Sequence, residues 1–252
     1  MAFQLLIFYR SILTKRLATK LRIFIIRHAE SKANIQHDIY QKIPDCSIEL
    51  TDIGHLQANK AGNALKSYLI KNIVSENELP YIRLWQSPYL RTRQTARGII
   101  NVLGLKSETD DFLIQDIREA DALREQEFGL FEGLTKEECA ELYPNENNHY
   151  MKSKKFKGEY WTKFPNGESR ANVSDRVKGL FSTLIRDTNP SDTRNEGVRN
   201  IIVVTHGATA RCFTKEYLHL PWEWVNEEKN PNNCSIRLIE DGKDKGYIFD
   251  GF

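Results

Sequence analysis

Two stretches of the chain, LRIFIIRH at residues 21–28 and RNIIVVTHG at residues 199–207, share one design: an unbroken apolar, β-branched run that ends in a histidine. A strand wet on one face alternates apolar and polar side chains. A run without that alternation predicts a strand covered on both faces, the normal situation in a parallel sheet between helical layers. A third run, YIRLWQSP at residues 81–88, stops at Pro88, which cannot donate to a ladder and suits a strand end.

Helical patterns separate these runs. Thr51 is placed to cap a helix on which Ile53, Leu56, Ala61, Leu65, Tyr68 and Leu69 fall roughly on one face. Thr135 and Glu138 form a capping box for a short helix that Pro144 stops after Tyr143. Ser169 opens another, with Val173, Val177, Leu180, Phe181, Leu184 and Ile185 at helical spacing. The stretches 143–161 and 186–200 are polar and turn-rich and read as loops. Strands alternating with helices predict an α/β fold, a three-layer α/β/α sandwich with a mainly parallel sheet.

Such a sheet binds ligands beyond the carboxyl ends of its strands. His28 and His206 each follow an apolar strand directly, so both imidazoles are expected in one crevice. His37, His55, His149 and His219 lack that placement and read as surface or structural residues.

With 252 residues, 40% of them hydrophobic, the chain is long enough for one sizeable core, expected over residues 22–252. A formal charge of only +2 argues against a nucleic-acid partner. Cys46, Cys139, Cys212 and Cys234 lie far apart with no C-x-x-C pair, which predicts four reduced thiols, a cytoplasmic setting and no zinc site. Residues 1–21 form a basic extension: no acidic residue precedes Glu30, while Arg10, Lys15, Arg16 and Lys20 accumulate. That composition suits a mitochondrial transit segment or a membrane-surface helix, the one route to membrane contact; an extra helix packed on the domain, or a disordered start, is the alternative.

RHAESKAN (27–34), SPYLRTRQT (87–95), LREQEFG (123–129), PNGES (165–169) and VTHG (204–207), in that order, resemble the histidine phosphatase superfamily, the phosphoglycerate mutase-like fold. The resemblance covers about residues 22–239. It implies that His28 is a nucleophile forming a phosphohistidine, that Arg27, Arg91, His206, Asn34 and Gly207 bind the phosphoryl group, and that Glu125 protonates the leaving oxygen. Glu127 is the competing acid. The chemistry is coherent: a neutral imidazole attacks, cations hold the phosphate oxygens, and two easier transfers replace one hard hydrolysis. No metal motif is present, and the resemblance implies no cofactor.

Gln126 stands where the mutase branch carries an arginine, while GLFEGLTKEE (129–138) and NCSI (233–236) resemble the phosphatase branch. REQEFG, FPNGES and PNNCSI resemble fungal and plant broad-range acid phosphatases. Hydrolysis of a phosphorylated small molecule is therefore expected, a phosphoprotein being the second choice. A phosphoglycerate mutase and an inactive phospho-ligand-binding protein are the alternatives. Ala29 replaces the usual glycine, and its methyl is expected to crowd the backbone next to the phosphate slightly without abolishing activity. Loops 35–49 and 143–165 are expected to cover the pocket.

Overall fold

The computed structural model describes residues 20–72, 81–104, 113–188 and 198–252. The expectations for the N-terminal extension therefore fall almost wholly outside the described residues. Of that extension, Lys20 and Leu21 are described; the Leu21 N–H donates to the Asp241 side-chain carboxylate at 2.8 Å, and the Leu21 carbonyl accepts from the Asp241 N–H at 2.9 Å.

One six-stranded sheet organises the domain. Its strands are β1 (Arg22–Arg27), β2 (Tyr81–Gln86), β3 (Leu113–Glu119), β4 (Asn200–Thr205), β5 (Ile236–Glu240) and β6 (Lys243–Phe249), in the spatial order β3-β2-β4-β1-β5-β6. β1, β2, β3 and β4 run parallel, and β5 and β6 add an antiparallel edge. β1 and β4 are neighbours, in register from Arg22 opposite Asn200 to Arg27 opposite Thr205. The two histidines that follow them are thereby brought out of the sheet side by side.

The helices are α1 (Lys32–Ile35), α2 (Asp52–Asn72), α3 (Leu90–Leu103), α4 (Lys136–Leu142), α5 (Pro144–Lys157), α6 (Arg170–Asp187), α7 (Gly207–Tyr217) and α8 (Glu223–Glu227). Phe24, Ile26, Leu84, Ile202 and Val204 pack against α2 and α3 on one face; Ile23, Ile25, Trp85, Ile201 and Val203 pack against α6 and α7 on the other. Every second side chain meets a different helical layer, which is why neither strand shows polar alternation.

The helix phases are partly different from those the apolar pattern predicts. α2 buries Gly54, Ala58, Ala61, Leu65 and Leu69, while Ile53 and Leu56 are 58% and 63% exposed. Small residues set this face because the chain approaches closely: a Cβ on Gly54 would stand 2.0 Å from the carbonyl oxygen of Glu30. The Thr51 cap is present, its Oγ1 accepting from the Gly54 N–H at 2.9 Å. In α6, Val173, Val177, Leu180 and Leu184 are buried, whereas Ile185 is exposed.

The polar stretch after Tyr143, expected as a loop, contains the 14-residue helix α5. Pro144 both ends α4 and opens α5, since the first helical turn has no use for its missing N–H. No residue of α5 is buried. The helix is held by Tyr150, which stacks on Phe164 at 4.9 Å and meets Phe131 edge-on at 5.7 Å. An apolar stripe was never going to announce a helix docked through one ring.

Arg83, inside β2, is 2% exposed and pairs with Asp187 at the end of α6 at 3.0 Å; Arg118 reaches the same carboxylate at 2.8 Å. Removing one partner of a buried ion pair leaves an uncompensated charge. Asp187→Ala is expected to destabilise the fold by about 3–5 kcal/mol, measurable as a lower urea midpoint at unchanged slope.

Candidate active site

His28 continues the β1 ladder by one bond, its N–H reaching the Thr205 carbonyl at 2.9 Å. The side chain is buried, and Nδ1 lies 2.7 Å from the carbonyl oxygen of Ala29. A carbonyl only accepts, so in the neutral ring Nδ1 carries the proton and Nε2 keeps the lone pair. His206, fully buried at the end of β4, sets its ring 5.2 Å from that of His28, with Nε2 2.8 Å from Ser87 Oγ and Tyr89 edge-on at 5.0 Å. Burial holds both imidazoles well below the ordinary histidine pKa. Arg91 pushes each in the same direction, as Arg27 does more weakly, against the Ala29 carbonyl bond at His28.

The guanidinium groups come from two strand ends. Arg27 closes β1 and donates through Nη1 to the Pro231 carbonyl at 2.6 Å; its buried Nε has no partner among the described residues. Arg91, in the first turn of α3 after β2, is 3% exposed and forks onto the carboxylate of Asp45. Asp45 begins a 3₁₀ turn, Asp45–Ser47, inside the segment expected to cover the pocket.

Glu125 is half-buried on the loop after β3. Its Oε1 accepts from the N–H of Gln126 at 3.0 Å and from the N–H and Oγ1 of Thr209, both at 3.3 Å. No bond to Oε2 occurs among the described residues. The loop is clamped by Arg176, which donates to the carbonyls of Ala122, Arg124 and Glu125 and to Glu168. Glu168 in turn accepts from Arg124 and from the Glu127 N–H. Nothing in the sequence pattern singled out Arg176, which sits on α6 and reaches three carbonyls of a distant loop. Glu127 is exposed and paired with Arg124 at 3.1 Å.

Asn34 lies near His28 at one remove. Its Oδ1 accepts from the Ser31 N–H at 2.9 Å and from Asn233 at 3.4 Å, while Asn233 Nδ2 donates to the His28 carbonyl at 3.0 Å. Gly207 opens α7, and a Cβ there would collide with Asn230 Oδ1 at 2.2 Å. Ser87 bonds His206, the imidazole next to His28. Ala29 corrects an expectation: its methyl is fully buried in the α2–α3 core cluster, not turned toward phosphate, and its N–H is taken by Thr95 Oγ1 at 3.0 Å. Its φ is not positive, so the backbone there does not require glycine.

Glu132 is a carboxyl that the sequence did not single out. Burial raises its pKa to about 7, helped by the charge of Asp45. Among the described residues no group of three or more His, Cys, Asp or Glu side chains could hold a metal ion, and no helix is long and apolar enough to cross a membrane.

A buried neutral imidazole with a bare Nε2, a second imidazole beside it, two guanidinium groups and a carboxyl can together hold a tetrahedral anion and exchange a group with it. Known proteins resemble this chain in sequence and in fold. The chain is 32% identical over 233 residues to the phosphoglycerate mutase-like protein AT74 of Arabidopsis thaliana, covering 90% of this chain and 66% of that protein. It is 26% identical over 294 residues to the broad-range acid phosphatase DET1 of Saccharomyces cerevisiae, covering 86% and 84% of the two chains. A mycobacterial glucosyl-3-phosphoglycerate phosphatase superposes with a TM-score of 0.63 at 19% identity over 93% of this chain and 99% of that one, a likeness of fold. The sequence profile of branch 1 of the histidine phosphatase superfamily matches residues 23–249, and the chain belongs to that superfamily.

Proposed function

We propose that this protein hydrolyses phosphomonoesters through a phosphohistidine on His28. One observation carries the reading: the Ala29 carbonyl holds the Nδ1 proton of a buried, neutral His28, which leaves Nε2 as a nucleophile. Arg27, Arg91 and His206 bind the phosphoryl oxygens. Asn34 joins them through its Nδ2, since Ser31 and Asn233 engage the other end of that amide. Gly207 follows His206 directly at the start of α7, where its missing side chain lets Asn230 come close to the backbone. Nε2 attacks phosphorus, the ester P–O bond breaks, and Glu125 gives its proton to the leaving oxygen. Water then attacks the phosphohistidine, Glu125 takes up the water's proton, and inorganic phosphate leaves with His28 restored.

Hydrolysis is favoured over isomerisation because Gln126 is buried and spends its amide on the Glu168 carbonyl, while Asp45 brings negative charge to Arg91. Neither suits a second phosphate. The reading is tested with a panel of phosphomonoesters, followed by acid-quench trapping of labelled phosphohistidine. Release of inorganic phosphate supports it; no release from any ester overturns it. Isomerisation of phosphoglycerate that needs added bisphosphoglycerate would assign the chain to the mutases.

A pH profile follows from the same burial. Only the neutral ring attacks, and a pKa held well below 6.5 keeps the neutral form dominant at pH 6. The acid limb of kcat, read on the loaded enzyme so that the free ester's own second ionisation at about 6 does not enter, is therefore expected well below pH 6.5, and a limb centred at 6.5 would contradict a buried nucleophile.

A further inference from the structure

Arg91 does not wait with its fork open. Nη1 donates to Asp45 Oδ1 at 2.7 Å and to the Asp45 carbonyl at 2.8 Å, and Nη2 donates to Oδ2 at 3.3 Å. This end-on pairing of a planar fork with two oxygens is a geometry by which arginine also takes phosphate. The Arg91 side chain is 4% exposed and that of Asp45 21%, so Asp45 forms the outer wall of the seat. After burial, its negative charge is the next cause that raises the pKa values of Tyr40, Tyr89 and Glu132, which puts these groups around the same spot. The turn is anchored by buried Ile39 and Ile48, while Cys46 and Ser47 next to Asp45 are exposed.

Resting on the reading of Arg91 as a phosphate ligand, we infer that Asp45 is a specificity-determining residue. Its carboxylate fills the phosphate's place on Arg91 and yields it to a phosphate dianion but not to a carboxylate or another monoanion. A tethered carboxylate competes at an effective concentration of roughly millimolar or above. A free carboxylate offers Arg91 nothing that Asp45 lacks. A phosphate dianion brings a second charge and further oxygens for Arg27 and His206, so it alone gains by the exchange. Affinity for phosphate is lowered by the fraction of time Arg91 spends on Asp45, and that reduction is what selectivity costs.

Calorimetric titration of the full chain with inorganic phosphate, and separately with acetate, tests this in wild type, Asp45→Asn and Asp45→Ala. Asparagine preserves the shape, and in both variants the Asp45 backbone carbonyl still accepts from Arg91, so the turn keeps one tether. Roughly tenfold tighter phosphate binding in both variants, with acetate binding newly detectable, is the expected result. Unchanged or weaker phosphate binding in either variant that folds overturns the inference and makes Asp45 a residue that positions Arg91. Because binding is read without turnover, a wild type that hydrolyses no ester refutes the proposed function while the phosphate titration still decides the role of Asp45.

Discussion

His28→Ala is expected to lower phosphomonoester hydrolysis by a factor on the order of 10⁴–10⁶ and to abolish acid-quench labelling, with the fold retained. The size reflects the loss of a whole pathway. Without Nε2 no phosphohistidine forms, and the remaining Arg27, Arg91 and His206 bind phosphate without offering phosphorus an attacking atom. His206 does not replace it: its Nε2 is engaged with Ser87 Oγ, and its ring stands between those of His28 and Tyr89. Initial rates with an activated aryl phosphate provide the measurement. A loss of less than tenfold would mean that water attacks directly and that His28 only binds.

Glu125→Gln ranks second, with an expected loss of about 10²–10⁴-fold for alkyl phosphates, whose leaving oxygen needs a proton, and a small loss for nitrophenyl phosphate, whose leaving group does not. Glutamine keeps an acceptor for the Thr209 and Gln126 bonds, so the loop that Arg176 clamps is undisturbed and the difference between the two substrates reports on proton transfer alone. Equal losses on both would move Glu125 from proton donor to binding residue. Glu127→Gln is the matching control: exposed and paired with Arg124, Glu127 is expected to matter little for either substrate.

These two residues illustrate how differently a site can be read from a chain. His28 was legible because a buried strand leaves a period-free apolar run, and whatever follows that run stands at the sheet's carboxyl edge. Arg27 and His206 were legible for the same reason. Glu125 was reached through motif resemblance, since nothing in its own neighbourhood separates it from Glu127 two residues on. Folding separates them: Glu125 meets Thr209 from α7, and Glu127 faces water.

The layered α/β architecture, the two histidine-ended strands and the capping of α2, α4 and α6 were legible in short-range pattern, because periodicity, strand ends and caps are written in residues close together in the chain. Long-range packing settled which face of α2 is buried, that a polar segment after Tyr143 is a helix, and that Ala29 points into the core. It alone brought Arg176 under the Glu125 loop and Asp45 onto Arg91, across 46 residues. Close approach and charge pairing depend on what arrives from the rest of the chain, and short-range pattern carries no record of that.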